Sequence, residues 1–322
     1  MRVYLTGGTG QIGSQLARAL VERGDEVTAL VRDKQRLKVL DPDGLKLVEG
    51  DVTDPGSLRL AGHDAVIHCA GVVSYSSSKR AWQEAVNVGG TRAVLDAAAL
   101  AGCERLVLTS SLAALGWVPE GEVGDENTAF NWQGLGLGYQ ETKKAAEDAA
   151  LSEKRLDCIA VNPGIVMGSH DLNDNGGRVL KLLAAGGPPG VPCGHTTAVN
   201  LSDVIQGHLL ALDKGVPGER YVLASWHGSF VELFALVASI LEVPAPARVL
   251  SERALRFTGM LQVLGSKLSG SEPKLTPALA TVSSRNRRFS SAKAEKELGF
   301  EPTELAEGIA ECKAWYEAHG GL

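Results

Sequence analysis

The chain lacks several things that would place it quickly. No apolar run approaches the ~20 residues needed to cross a bilayer, so no membrane span is expected. The opening MRVYLTGG meets glycine before an apolar leader stretch could form, so no leader is expected either. Positive charge is short: 32 Lys and Arg stand against 38 Asp and Glu, a net charge of −6. That balance argues against a nucleic-acid partner, which needs a clustered positive field. The five cysteines (Cys69, Cys103, Cys158, Cys193, Cys312) include no CxxC and no His at metal-ligand spacing. They read as reduced core thiols of a cytoplasmic protein, and no metal site is expected. Proline is scarce at 13 residues, whereas glycine reaches 38, a balance that fits tight turns between regular elements.

What is present is a βα rhythm. Residues 3–5, 27–31, 45–48, 65–69, 106–109 and 158–161 are short apolar runs rich in β-branched residues. Between them lie helical periodicities, the first carrying Ile12, Leu16, Ala19, Leu20 and Arg23 with Gly24 as its stop. Residues 82–101 predict one long helix and 139–151 another. Strands apolar throughout and separated by helices predict a doubly wound parallel sheet of Rossmann type. After residue 165 the pattern loosens, with helix candidates at 202–212, 230–241, 254–264 and 303–317. The expected organisation is therefore a dinucleotide-binding domain over residues 1–165. A smaller, mostly helical substrate cap follows over 166–322, with segments near 195–225 returning to the first domain.

Thr6-Gly7-Gly8-Thr9-Gly10-Gln11-Ile12-Gly13 falls at the first strand-to-helix junction. Glycines there allow the chain to approach a pyrophosphate seated on a helix N-terminus. An empty glycine-rich turn is the bland alternative. Arg32, at the tip of the second strand and followed by Lys34 and Arg36, suits a ribose 2′-phosphate; Asp33 would suit a free 2′-hydroxyl. Arg32 favours NADP(H) over NAD(H). Asp51, in Gly50-Asp51-Val52, either accepts a bond from an adenine amino group or caps a turn.

Tyr139 and Lys143 share a helix face, four residues apart. A phenol is a poor acid–base group at neutral pH unless a neighbouring ammonium favours its phenolate. Thr109-Ser110-Ser111 closes the fifth strand, at the sheet edge where ligands of open α/β folds bind. Ser111 is preferred over Ser110 as the hydroxyl beside Tyr139. Asn87, in Asn87-Val88-Gly89-Gly90-Thr91, is a further polar candidate. Ser74, Tyr75, Trp132 and His195 line the pocket or pack in the core.

These pieces in this order resemble the extended short-chain dehydrogenase/reductase family over essentially the whole chain. The matching motifs are TGGTGQIG at 6–13, GDVTD at 50–54, HCAG at 68–71, NVGGT at 87–91, TSS at 109–111, YQETK at 139–143 and NPGIVMG at 162–168. LVRD at 30–33, LVLTSS at 106–111 and GHLLALDKGVPGERYVL at 207–223 look most like its dihydroflavonol-reductase-like branch.

The resemblance implies that Tyr139 is the acid–base group and that Lys143 lowers its pKa and binds the nicotinamide ribose. It further implies that Ser111 polarises the substrate carbonyl and Asn87 maintains a proton-relay water. Cofactor contacts are implied for Gly7, Gly10, Gln11, Ile12, Gly13, Val52, Ala70, Gly71 and Thr109. Pro163, Gly164, Ile165 and Val166 are implied at the nicotinamide end. Two departures stand out. Asn200 occupies a place where many relatives carry His, and Leu112 follows Ser111 where sugar-nucleotide dehydratases carry an Asp-Glu pair, which argues against dehydration.

The expected activity is NADP(H)-dependent reduction of a ketone or aldehyde on a small organic molecule. An NAD-dependent nucleotide-sugar epimerase is the alternative, with Arg178 or the Arg285, Arg287, Arg288 cluster as its cationic groups. A non-catalytic dinucleotide sensor is a third reading, weakened by the survival of Tyr139, Lys143 and Ser111. A homodimer built on the helical surfaces at 82–101 and 139–153 is a further expectation, with a monomer left open.

Overall fold

A computed structural model describes residues 1–34, 40, 43–269, 273 and 275–322. Arg36 lies outside the described residues. The first half runs β1 (Arg2–Thr6), α1 (Gln11–Glu22), β2 (Glu26–Val31), β3 (Leu45–Glu49), β4 (Ala65–His68), α2 (Arg80–Gln83), α3 (Thr91–Ala101), β5 (Arg105–Thr109), α4 (Gly138–Leu151) and β6 (Asp157–Pro163). The second half continues with β7 (Ile165–Met167), α5 (Arg178–Ala184), β8 (Val191–Pro192), β9 (His195–Asn200), α6 (Leu201–Lys214), β10 (Arg220–Leu223) and β11 (Trp226–Ser229). It closes with α7 (Phe230–Leu241), β12 (Val249–Leu250), α8 (Glu252–Ser269), α9 (Pro277–Ser283), α10 (Ala292–Leu298) and α11 (Leu305–Ala318).

Seven strands form one parallel sheet in the order β10-β6-β5-β4-β1-β2-β3. The chain winds outward from β1 in one direction and from β4 in the other. The reversal between β1 and β4 opens a crevice at the carboxyl ends of the strands, the place where such sheets take ligands. Alternation along each strand shows why both faces are covered. Val3, Leu5, Ile67, Val107 and Val161 pack with Leu16 and Leu20 of α1 and with Val204 and Ala211 of α6. Tyr4, Val66, Leu106 and Cys158 point the other way, onto Val94, Leu95 and Ala98 of α3 and Ala150 of α4. The central strands are largely apolar because neither face meets water, whereas the edge strand β3, with Lys46 and Glu49, is partly exposed.

The structure departs from the periodicity at residues 82–101. One continuous helix is expected there, but Glu84–Gly90 is a π-helical stretch between α2 and α3. Gly90 within it packs tightly on Val52: a Cβ at Gly90 would stand 2.7 Å from a Val52 methyl. The second half holds more strand than its helical periods suggest. β7, β9 and β11 form a three-stranded sheet, and β8 pairs with β12. Leu180, Leu183, Leu233, Phe234, Val237, Leu305 and Ile309 form a separate core beneath that sheet. Nor are all the thiols in the core. Cys103, Cys158 and Cys312 are buried and Cys69 is half-buried, but Cys193 is exposed, because it sits in the turn between β8 and β9. Among the described residues no helix is long and apolar enough to cross a membrane.

Candidate active site

The glycine turn joins β1 to α1 in a form only glycine permits. Gly7 has φ +72°, and a Cβ there would stand 2.6 Å from the Ala70 nitrogen. A Cβ at Gly13 would stand 2.2 Å from the Gly7 carbonyl oxygen. The first turn of α1 carries no side-chain cap and no acidic residue. Its leading amides, from Gln11, Ile12 and Gly13, are thus left for an anion, as a dinucleotide pyrophosphate requires. The Gln11 side chain is committed elsewhere: its amide nitrogen donates to the Ser169 carbonyl at 3.0 Å, tying α1 to the segment after β7.

Around this turn runs a buried hydrogen-bond chain. Thr91 Oγ1 donates to the Asn87 carbonyl at 2.6 Å, so it must accept from His68 Nε2, 3.0 Å away. His68 Nδ1 therefore accepts from Thr6 Oγ1 at 2.6 Å, and Thr6 in turn accepts from the Ala70 N–H at 3.2 Å. His68 is neutral, its pKa driven down to about 3 by burial and then by the charge of Lys143. The chain links the glycine turn to the π-helical stretch.

Arg32 is exposed just past β2 and makes no hydrogen bond or ion pair among the described residues. Asp51 Oδ1 accepts from the N–H and hydroxyl of Thr53 at 2.8 and 2.7 Å, so the carboxylate shapes its own turn. Val52 is buried against Gly90.

On the other side of the crevice, Tyr139 lies in the first turn of α4 with its phenol nearly buried. Burial pushes its pKa up to about 12, and the neighbouring Tyr75 phenol adds to the rise. Ser111 and Arg287 pull the other way. Tyr75 meets the Tyr139 ring edge-on, centroids 5.9 Å apart. Ser111 Oγ accepts from the Ala113 N–H at 3.1 Å, which leaves its own proton for the Tyr139 oxygen. Ser110 is buried and turned toward Glu147 instead.

Lys143, one turn along α4, sends Nζ to the Thr109 carbonyl at 2.8 Å. It stands beside Gly71, where a Cβ would lie 3.5 Å from Nζ. Burial lowers its pKa to about 8, opposed by Cys69 and Glu147. The groups that favour the Tyr139 phenolate here are thus Ser111 and Arg287, with the ammonium held one turn away. Asn87 is fully engaged. Its oxygen accepts from the Val72 N–H at 2.8 Å, and its amide donates to the Val72 carbonyl at 3.0 Å and to Thr142 Oγ1 at 3.1 Å.

Behind Thr109, His208 Nδ1 donates to the Val204 carbonyl at 2.7 Å, so Nε2 accepts from Thr109 Oγ1 at 2.7 Å. The Cys69 thiol then donates to Thr109 at 3.0 Å. It keeps its proton, its pKa raised to about 12 by burial. Pro163 ends β6, and Gly164 packs so closely on β9 that a Cβ would lie 2.5 Å from the Thr197 carbonyl oxygen. Ile165 and Val166, half-buried in β7, flank that junction.

Not every residue named from the sequence faces this crevice. Trp132 is completely buried, its indole N–H on the Leu115 carbonyl at 2.8 Å, so it is a core residue. His195 lies 3.6 Å from the exposed Glu120, and Asn200 holds Thr303 Oγ1 and the Glu304 carbonyl at 2.7 and 2.9 Å. Glu147, one further turn along the Tyr139–Lys143 face, escaped notice although its spacing announced it. It is fully buried, 3.0 Å from Arg220.

A dinucleotide turn, a protonated phenol and a lysine at the strand ends define an NAD(P)-dependent oxidoreductase of the extended short-chain dehydrogenase/reductase type. The chain belongs to the NAD dependent epimerase/dehydratase family, whose model matches residues 3–224. It is 31% identical over 330 residues, 99% of each chain, to sterol demethylase protein B of Methylococcus capsulatus. It is 29% identical over 341 residues to the 3 beta-hydroxysteroid dehydrogenase/Delta 5-->4-isomerase of Mycobacterium tuberculosis, covering 98% of this chain and 90% of that one. The crystal structure of gox2253 superposes with a TM-score of 0.83 at 32% identity, over 100% of this chain and 99% of the other.

Proposed function

We propose that the protein is an NADP(H)-dependent reductase that converts a ketone or aldehyde of a small to mid-sized organic substrate to the alcohol. The observation that carries this reading is the pairing of a protonated Tyr139 with the free Ser111 proton at the strand ends. A phenol is protonated at neutral pH and a carbonyl being reduced needs a proton, while the Ser111 hydroxyl and the Arg287 charge favour the phenolate that giving it up leaves. Arg32, exposed and without a partner among the described residues, supports the 2′-phosphorylated cofactor.

The cofactor would lie with its pyrophosphate on the α1 amides behind Gly7, Gly10 and Gly13 and its 2′-phosphate at Arg32. Asp51 and Val52 would border the adenine, Ala70, Gly71 and Thr109 the middle, Lys143 the ribose, and Pro163, Gly164, Ile165 and Val166 the nicotinamide end. Bound there, it supplies the hydride. Ser111 donates a hydrogen bond to the substrate oxygen and fixes it against Tyr139. Tyr139 gives its proton to that oxygen as negative charge develops. Ser111 and Arg287 stabilise the phenolate left behind, and Lys143, still an ammonium at pH 7, holds the ribose. Asn87 acts at one remove, by pinning Val72 and Thr142 beside the site.

The test is a titration of purified protein with NADPH and NADH, after assaying for nucleotide that co-purifies, followed by a carbonyl panel read by NADPH oxidation. The expected result is an empty site that prefers NADPH. Tyr139→Phe should bind cofactor normally and lose about 10²–10⁴-fold in kcat. Arg32→Ala should lose about 10-fold or more in NADPH affinity and leave NADH unchanged. Tightly retained NAD with no carbonyl reduction would replace this reading with nucleotide-sugar epimerisation.

A further inference from the structure

Of the cationic candidates Arg178, Arg285, Arg287 and Arg288, three have acids. Arg285 Nη1 lies 2.8 Å from Glu252, Arg288 Nη2 lies 3.7 Å from Glu120, and the Asp174 carboxylate acts on Arg178. Arg287 has none. Among the described residues its guanidinium makes no hydrogen bond or ion pair, and its Nε is shut off from solvent. Its charge acts on the phenols of Tyr75 and Tyr139, whose rings meet edge-on. Its backbone is well held, because Thr197 Oγ1 donates to the Arg287 carbonyl at 2.9 Å. A guanidinium stays charged at any ordinary pH and is costly to bury without an anion. Arg287 as a whole is half-buried, and among the described residues no carboxylate offsets that cost.

The surroundings say what would. Tyr75, Trp117, Phe130 and Ala278 pack around buried Trp132, Leu137 and Val282, a largely aromatic wall beside the reacting phenol. A pocket with an apolar wall and one convergent charge takes a ligand with an apolar body and one charged group. We propose that Arg287 receives an oxyanion, a carboxylate or phosphate, carried by the substrate close to its reacting carbonyl. The enzyme's substrates are then acidic oxo compounds with an apolar body. The proposal rests on Tyr139 as the proton donor, because it is the closeness of Arg287 to that phenol that places the anion near the carbonyl.

The test is calorimetric binding to the cofactor-loaded enzyme, which needs no turnover. Phenylglyoxylate and 3-benzoylpropionate are each compared with their own methyl esters, and phenyl phosphate separates phosphate from carboxylate. At least one acid should bind about 10-fold or more tightly than its neutral counterpart. Arg287→Gln should abolish that preference and Arg287→Lys retain part of it. Thermal unfolding supplies a second readout: Arg287→Gln should melt no lower than the parent, since a half-buried charge without a carboxylate partner has been removed.

Equal affinity for acids and esters, no acid binding at millimolar concentration, or a preference that survives in Arg287→Gln would each overturn the proposal. So would a fall in the melting temperature combined with equal losses toward charged and neutral ligands, which would make Arg287 a structural residue. Failure of the reductase reading appears elsewhere, as an absence of NADPH oxidation with every carbonyl, and leaves this binding result legible.

Discussion

Glu147 Oε1 lies 3.0 Å from Arg220 Nη1, an ion pair that joins the helix of Tyr139 and Lys143 to the edge strand β10. The carboxylate is wholly buried, and its other oxygen accepts from Asn162 Nδ2 at 2.5 Å. The same amide donates to the Ser111 carbonyl at 3.0 Å. One carboxylate thus orients the helix bearing the acid and, through Asn162, the backbone of the serine that meets it. Burial raises the Glu147 pKa, against the pull of Arg220 and then of the Ser110 hydroxyl and the Asn162 amide.

Removing one partner of such a pair leaves the other charge buried alone. Glu147→Ala should therefore lose about 3–5 kcal/mol of stability. Glu147→Gln, which keeps a hydrogen-bonding side chain, should lose less. Chemical denaturation at pH 7 decides it, and an unchanged midpoint for Glu147→Ala would show that the pair holds nothing together.

Gly10 and Gly13 separate the two demands on the glycine turn. A Cβ at Gly10 would meet the Gly7 oxygen at 3.4 Å, close to ordinary contact, whereas one at Gly13 would meet it at 2.2 Å. Gly13→Ala should displace the turn and lower stability measurably. Gly10→Ala should melt near the parent while weakening dinucleotide binding. Identical melting of the two variants would contradict this division.

With Lys143 on the ribose as proposed, cofactor binding should have a pH limit. With its pKa lowered to about 8, it is an ammonium at pH 7 and loses its charge as pH rises through that value. Cofactor affinity should fall between pH 7 and 9, and Lys143→Met should remove the fall along with much of the affinity. A parallel decline in the variant would assign the titration to another group.

How much of this the sequence discloses depends on how local each feature is. The glycine turn and the Tyr139–Lys143 spacing are written within a few residues, and so is the alternation of strands with helices. The π-helical stretch carrying Asn87 is not, because it is a shift of hydrogen-bond register that leaves composition unchanged. β7, β9 and β11 are short and exist through pairing with distant chain, so no period announces them. Trp132 shows the limit for aromatics: position leaves pocket and core equally open, and only its N–H on the Leu115 carbonyl inside the core decides. Arg285, Arg287 and Arg288 are alike in sequence, and only the tertiary fold separates the two with acids from the one without.

The two buried histidines make the fold sensitive to mild acid. His68 and His208 are both neutral acceptors at one ring nitrogen, toward Thr6 and Thr109, and protonation would break those bonds and bury a charge. Burial lowers their pKa values to about 3 and about 4, from 6.5 in an open chain. Below pH 6.5 the unfolded chain binds protons that the folded chain does not. The stability these residues contribute is therefore complete above that pH and declines as pH falls toward the folded values. Each histidine adds about 1.4 kcal/mol per pH unit to the decline. Glu147, whose raised pKa acts in the opposite sense, is common to parent and variant, so comparison with His208→Gln isolates one proton. The stability difference between the two proteins should shrink steadily from pH 7 to pH 5. Denaturation curves that run parallel over that range would mean that His208 is not held neutral by its burial.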